Sequence, residues 1–468
     1  MSRINTNVSS LIAQRVLRGN NEKLNTSLTR LSTGLKINSG ADNPAGLIAS
    51  ENLRAEKTGI LAAMSNAERA GNIVATAEGG LAEVSNLLNE IQGLVNETAN
   101  SGGLSDEEVE ANQLQIDSIL STVNRLSQSV NFQGKKLLNG ELSYTTSGAN
   151  LSAFSNVRIN TARLAEGATA NVTVQITGSA QTGRVTYTSG ALSAATTIEI
   201  AGRDGSEQLS FLSGATISSV RDAINAVTSV TGVSALVSGG NLYVDSTEYG
   251  ADAFVSVKSI SGGTFGGATG KDFGQDATVS VNGAAADVDG LKVSFRNSNL
   301  DVQFNIDPLA NYDGTAVNKE FAVTGGGATF SLGSKVTEVD KASLGITSVS
   351  TGSLGLDGDF LSSLASGGAN SLTSGNLANA QKVVDAAIKQ VSQTRGRLGA
   401  FQKFVINSTV NQLGIAYENA SAAESAIRDT DFAQETAAMT RAQILAQAST
   451  NVLAQANSQP QLALQLLR

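Results

Sequence analysis

The chain has no histidine, no cysteine and no tryptophan, only 3 prolines, and aromatic residues at just 4% of its 468 positions. Each gap removes a class of chemistry. Without cysteine there is no disulfide framework, no thiol nucleophile and no thiolate metal site. Without histidine there is no Ser-His-Asp triad, no H-E-x-x-H zinc helix and no side chain that titrates near neutrality by default. Positive charge is also outnumbered: 32 Lys and Arg against 41 Asp and Glu leave a net charge of −9. Nucleic-acid or anionic-membrane binding needs a basic face, so neither partner is expected. No apolar run approaches the roughly 20 residues of a membrane span. The opening Met1-Ser2-Arg3-Ile4-Asn5-Thr6-Asn7 carries no apolar signal-peptide core, which by itself reads as cytoplasmic. No enzyme activity, cofactor or metal is expected.

What is present can bury cores. Hydrophobic residues make up 41% of the chain alongside 48 glycines, and the length suggests roughly two to four domains. Residues 1–140 and 376–468 are rich in Leu, Ala, Asn, Gln and Ser and read as helix, whereas 141–375 is rich in Gly, Thr, Ser and Val and reads as strand and turn.

The helical ends are regular. Leu53, Ile60, Ala67, Val74, Leu81, Leu88 and Val95 recur every seventh residue, with Ala63, Ala70, Ala77, Val84 and Ile91 three positions after the members from Ile60 to Leu88. A 3.5-residue repeat keeps one seam facing a partner helix. A helix from Ala45 to Asn100 would span on the order of 80 Å. A second helix repeats through Val109, Ile116, Val123 and Val130, with Ile119 and Leu126 at the intermediate step, and opens on a capping box at Ser105-Asp106-Glu107-Glu108. A third repeats through Leu377, Val384, Val391, Leu398 and Val405, with Ala380, Ala387 and Phe401 between. None is stable alone in water, so the three are expected to bury their seams together. Asn43 suits an N-cap and Pro44 a first helical position, which marks a joint before the first of them.

The extreme termini form a separate pair. Leu17, Leu24 and Leu31 repeat every seven residues, as do Leu28 and Leu35. Leu445, Ala448, Val452, Leu462 and Leu466 share one phase, broken by Gln455 and Gln459. Two such helices bury too little to stand in isolation. Either they are disordered in the monomer or they order on packing against copies of the chain, and a head-to-tail contact that does not close gives a helical filament.

Within the insert, Val172, Val174 and Ile176 alternate with polar residues, as do Ile198 and Ile200, Val233, Ala235 and Val237, Leu242 and Val244, and Val302, Phe304 and Ile306. Period-two alternation bounded by Gly, Ser, Asn or Asp marks strands. Ile217, Val220, Ile224 and Val227 instead mark one helix. The glycine run Gly325-Gly326-Gly327 lacks the Lys-Ser/Thr of a phosphate loop and reads as a strand turn. Asp301, Asp307 and Asp313 have no calcium-loop spacing and read as solvated. The fold class is therefore mainly α with a β-rich insert: a long coiled-coil helical bundle from both chain ends plus a central α+β or β outer domain.

Several segments carry a resemblance. They are Ile4-Asn5-Thr6-Asn7-Val8, Thr29-Arg30-Leu31-Ser32-Thr33-Gly34-Leu35-Lys36-Ile37-Asn38-Ser39, Asn131-Phe132-Gln133-Gly134-Lys135-Lys136-Leu137-Leu138-Asn139-Gly140, Arg395-Gly396-Arg397-Leu398-Gly399-Ala400, Ile427-Arg428-Asp429-Thr430-Asp431-Phe432-Ala433 and the closing Leu466-Leu467-Arg468. In this order the chain strongly resembles bacterial flagellin. Ile217 to Asn225 is similar to a module repeated in flagellins and hook-associated proteins.

The resemblance implies a filament subunit used in motility. It implies an inner tube from 1–42 and 431–468, outer-tube helices and a short β-hairpin over 43–150 (the hairpin near 132–150), a variable surface domain over 151–375 and an outer-tube helix over 376–430. Leu17, Leu24, Leu28, Leu31, Leu35, Leu445, Val452, Leu462 and Leu466 then become subunit-interface residues. Leu53, Ile60, Val74, Leu81, Leu88, Ile91, Val95, Ile116, Val123, Val384, Val391, Leu398 and Phe401 become outer-tube packing. It further implies copies of the chain as partners, type III export without a cleaved signal, secretion to an extracellular filament, an export chaperone on 430–468, and cap and hook-junction proteins. The hook–filament junction protein shares these termini, but the dense C-terminal match favours the filament subunit. Some flagellins carry a metalloprotease in the insert, which requires the histidine that this chain lacks. The family's receptor-stimulating segment reads roughly Gln-Arg-x-Arg-Glu-Leu-x-Val. Here Asn89, Glu90 and Gln92 replace its Gln and both arginines while Leu94 is retained, so weak activation of the flagellin-sensing innate receptor is expected.

Overall fold

The computed structural model describes residues 6–100, 103–148, 153–164, 168–188, 190–262, 265, 270–308, 317–356 and 358–465, with the side chains of 317–318 and 460–465 left aside. The chain forms two compact units: one from 1–68, 332–336 and 407–468, the other from 69–331 and 337–406. Their boundaries fall inside a helix and after Ile406, whereas the sequence places its joints at 42/43 and 430/431. The helices are α1 (Val8–Thr33), α2 (Pro44–Thr98), α3 (Asp106–Ser129), α4 (Ile217–Ala226), α5 (Thr228–Thr231), α6 (Leu377–Ala400), α7 (Asn407–Arg428) and α8 (Phe432–Gln465).

In the first unit α1 and α8 run antiparallel. Asn7 Nδ2 donates to the Ala456 carbonyl at 2.7 Å, Asn20 Nδ2 to Ser449 Oγ at 2.7 Å, and Arg30 faces Glu435 at 3.6 Å. Asn7 caps α1 through Ser10 N–H. Gly34 ends it at φ 73°, a left-handed conformation that glycine adopts without strain. The loop that follows is held by Asp42, whose Oδ2 accepts from Ser39 N–H, Ser39 Oγ–H and Asn38 N–H. Asn43 Oδ1 then accepts from Gly46 N–H at 3.0 Å, capping the helix that Pro44 opens. Within this unit Ile60 and Ala63 of α2 bury against Leu413 of α7, with Met64, Ala416 and Tyr417 partly covered.

In the second unit the α2 stripe Ala70, Val74, Ala77, Leu81, Val84, Leu88, Ile91 and Val95 is fully buried. So are Ile116 and Val123 of α3, and Ala380, Val384, Ala387, Val391 and Leu398 of α6. The capping box at Ser105 and Glu108 is formed. Helix α6 runs antiparallel to this part of α2, tied by Arg395 to Glu78 at 2.8 Å and by Gln92 to Asp385 at 2.6 Å.

The third heptad does not run on as spaced. Phe401–Ile406 is a π-turn, and the buried position moves from Val405 to Ile406. A π-turn inserts one residue into the ladder. The seven-residue step then resumes one place later, at Leu413 and Ala420.

The hairpin is shorter than expected. It pairs only Asn131–Phe132 with Lys135–Lys136. Gln133 (φ 50°) and Gly134 (φ 84°) close it, as a two-residue turn with positive φ at both positions does. Tyr144–Ser147 belongs elsewhere, as an edge strand against Val317–Gly326.

Two β modules make up most of the insert. The first packs a five-stranded and a four-stranded antiparallel sheet around Val172, Val174, Ile176, Val302, Phe304 and Phe321. Phe154 meets Phe304 edge-on at 4.9 Å. The second packs a three-stranded and a four-stranded sheet with α4 around Ile198, Ile200, Val220, Ile224, Leu242, Val244 and Phe265. Of the glycine run, Gly325 and Gly326 end the strand Val317–Gly326 and Gly327 is the turn before Ala328–Ser331. Asp301 bonds Asn160 and Arg296, and Asp313 lies outside the described residues.

Candidate assembly surface

The seam between α1 and α8 is small and polar. On α1, Ser10, Ala13, Asn20 and Ser27 are buried while Leu17, Leu24 and Leu31 are half-buried in the same alternation of three and four. Among the described side chains of α8, Ala442, Ser449 and Ala456 are buried. Side chains of this size let two helices approach closely but remove little apolar area from water. The large apolar residues lie elsewhere. Val8, Leu11, Ile12, Val16 and Leu28 of α1 and Phe432, Ile444, Leu445 and Val452 of α8 are exposed. An uncovered apolar face of this extent marks an interaction surface.

The expected interface residues divide between these two faces. Leu28, Leu445 and Val452 are on the exposed one. Leu17, Leu24, Leu31 and Leu35 are half-buried, and the first three share the heptad of the α1 seam. Leu462 lies in α8 with its side chain not described, and Leu466 lies outside the described residues. Val8, Leu11, Ile12, Val16 and Ile444 were not singled out from sequence. Their signal is a second apolar stripe at Val8, Ile12 and Val16, spaced by four.

The loop after α1, the start of α2 and the end of α7 hold several ionised groups in place. Hydrogen bonds from Ser39, backbone first and then hydroxyl, and from the Asn38 amide hold the Asp42 carboxyl below its ordinary pKa. The Arg54 bond, with Arg428 adding to it, lowers Glu51. Glu424, bonded at 2.8 Å, raises Lys57. An antiparallel bridge between Leu35 and Asp429 fixes the clasp, flanked by Lys36 N–H to the Arg428 carbonyl at 2.7 Å and Thr430 N–H to the Gly34 carbonyl at 2.9 Å.

Of the outer-tube positions, Ile60, Val74, Leu81, Leu88, Ile91, Val95, Ile116, Val123, Val384, Val391 and Leu398 are buried, while Leu53 and Phe401 are half-buried. Of the receptor-segment positions, Asn89 and Glu90 are exposed, Gln92 is held by Asp385, and Leu94 is buried. Among the described residues no helix is long and apolar enough to cross a membrane.

Two terminal helices with an uncovered apolar face, and a middle folded on its own cores, are what a self-assembling structural subunit presents. Comparison with known proteins specifies the kind. The bacterial flagellin N-terminal helical region matches residues 4–143, the bacterial flagellin C-terminal helical region 381–467, and the flagellin hook IN motif 197–248. The chain is 30% identical over 471 residues to polar flagellin B/D of Vibrio parahaemolyticus, covering 99% of both chains. It is 29% identical over 472 residues to flagellin D of Vibrio cholerae, again covering 99% of both. A solved structure of FliC from Burkholderia pseudomallei aligns at 18% identity with a TM-score of 0.25, over 71% of this chain and 98% of that one.

The chain belongs to the bacterial flagellin family and is a structural subunit of the flagellar filament. The IN motif falls on the second β module, where the sequence placed its hook-associated resemblance.

Proposed function

We propose that the chain polymerises through α1 and α8, whose outward apolar faces pack against neighbouring copies in an inner tube. The single observation that carries this is the division of α1 and α8 between a thin polar seam and an exposed apolar face. Ordering the backbone costs about 1–2 kcal/mol per residue. A seam of Ala, Ser and Asn does not offset that, whereas burial of Ile12, Val16, Leu445 and Val452 against other copies contributes to doing so. The terminal helices therefore order on assembly. The tiling follows the expected division: inner tube from 1–42 and 431–468, outer tube from 43–150 and 376–430 as a coiled-coil bundle, and 151–375 facing solvent. Export proceeds unfolded, with a chaperone on 430–468, and assembly meets the cap and hook-junction proteins. Innate receptor activation is weak, because Glu90 and Gln92 stand where the family carries arginines.

Deletion of 432–468 tests the reading. Filaments should be absent by electron microscopy while the β modules keep their cooperative melting. Normal filaments from that truncation would refute it. So would helical circular dichroism that stays constant on polymerisation.

A further inference from the structure

A cleft opens within the second compact unit, between α6 and the outer face of the four-stranded sheet that carries Leu300–Ile306. It holds about 550 Å³, inside the range of about 300–1,000 Å³ that small-molecule sites occupy. One wall follows from strand alternation. Val302, Phe304 and Ile306 turn into the core, so Gln303 and Asn305 turn out. Lys292 lies opposite Asn305 and Arg158 opposite Gln303, and cross-strand partners share a face. The other wall follows from helix spacing: Lys382, Asp385, Lys389 and Gln393 fall three or four residues apart along α6.

The charge of the cleft runs against that of the whole chain. Five cationic side chains and three carboxylates line it, in a chain of net charge −9. The carboxylates are already engaged: Asp204 with Lys382 at 3.4 Å, Glu248 with Arg203 at 2.6 Å, and Asp385 with Gln92 Nε2 at 2.6 Å. Lys292 and Lys389, exposed on opposite walls, make no ion pair among the described residues. Asn156, Gln303 and Gln393 line the same cleft, and their side-chain amides make no hydrogen bond among the described residues.

We propose that this cleft binds an acidic oligosaccharide, with one sugar carboxylate held by Lys292 and Lys389 and ring hydroxyls held by the three amides. An amide both donates and accepts, as a sugar hydroxyl does, so the two are complementary. A bare oxyanion would use the ammonium groups and leave the amides to water. A nucleic-acid strand needs aromatic faces on which its bases stack. The aromatic residue among those lining the cleft, Phe304, is 1% exposed and offers none. The cleft belongs to the second unit, so its failure would leave assembly through α1 and α8 untouched.

Calorimetric titration of the full-length monomer with sialyllactose tests the proposal, with lactose as the neutral counterpart and inorganic phosphate as the bare anion. Binding should be saturable, and lactose should bind at least about tenfold more weakly. Lys292→Gln combined with Lys389→Gln should weaken sialyllactose at least about tenfold, and Gln303→Ala combined with Gln393→Ala several-fold. Lys389→Arg, which keeps the charge, should stay within about twofold of the wild-type chain. No saturable binding at millimolar sialyllactose overturns the proposal, as does equal binding of lactose or wild-type affinity in the double lysine variant. Displacement of sialyllactose by an equal concentration of phosphate, or of a single-stranded oligonucleotide, overturns it as well, because the cleft would then read charge alone.

Discussion

Asn20 donates to Ser449 Oγ at 2.7 Å across 429 residues of sequence, and both side chains are buried. It is the most enclosed polar contact between α1 and α8, and Asn20 also reaches the Leu445 carbonyl at 3.3 Å. A buried polar residue at a heptad position fixes register at a cost in stability. Asn20→Ala leaves Ser449 without this donor and should destabilise the helix pair by about 1–3 kcal/mol. Filament melting in a double-mutant cycle with Ser449→Ala checks it: the double variant should cost less than the two singles combined.

Leu445 and Val452 lie on the exposed face of α8. Burying such an aliphatic side chain contributes about 1.5–3 kcal/mol, and about 1.4 kcal/mol is a factor of ten in an equilibrium constant. Leu445→Lys and Val452→Lys should each raise the critical concentration for assembly at least about tenfold. The melting of the second compact unit should not move, and sedimentation with calorimetry on one sample reads both.

Leu88 is fully buried in the α2 stripe. Leu88→Ala should cost about 2–5 kcal/mol, as removal of a core leucine does. The check is the urea midpoint of the second unit. Ser105→Ala, which removes the capping box of α3, should cost about 1 kcal/mol in the same assay.

Asp42 gives the first unit an acid sensitivity. Its folded pKa lies below the unfolded value of about 3.9. The stabilisation is therefore present above that value and is lost as pH falls through the lower, folded one. Glu51, lowered by Arg54 and Arg428, acts in the same direction. The first unit should lose part of its stability as pH falls below about 4. Asp42→Asn should be less stable at neutral pH and show a flatter acid limb, as read by circular dichroism across that range.

Asn89 and Glu90 are exposed on α2, and Gln92 is tied to Asp385. Glu90→Arg with Gln92→Arg should raise signalling in a receptor-reporter assay well above the wild-type chain. An unchanged response would show that charge at these two positions does not limit recognition.

How far the sequence could be read depended on whether periodicity was local. The stripe from Ile60 to Val95 was legible because each member is buried, so its spacing maps onto its burial. Asn43 and Pro44 at the start of α2, and Ser105 with Glu108 at the start of α3, were legible for the same reason: a cap is a contact between residues three apart. The step from Val405 to Ile406 was not, because a π-turn has no fixed composition and shows only as a heptad that resumes one residue late. Nor could spacing tell Leu17 from Leu28. Both belong to seven-residue repeats, and only the placement of α8 half-buries the first and leaves the second exposed.

The sequence by itself determined the kind of molecule: helical ends with heptad repeats, a β-rich insert, and no histidine or cysteine to carry the chemistry those residues supply. Tertiary structure decided which apolar stripe is spent within the chain and which is left over. Two helices meet along whichever faces let their backbones approach, here Ala13, Asn20 and Ser27 against Ala442, Ser449 and Ala456. That pairing joins residues more than 400 positions apart, as Asn20 and Ser449 are, and no local pattern encodes it.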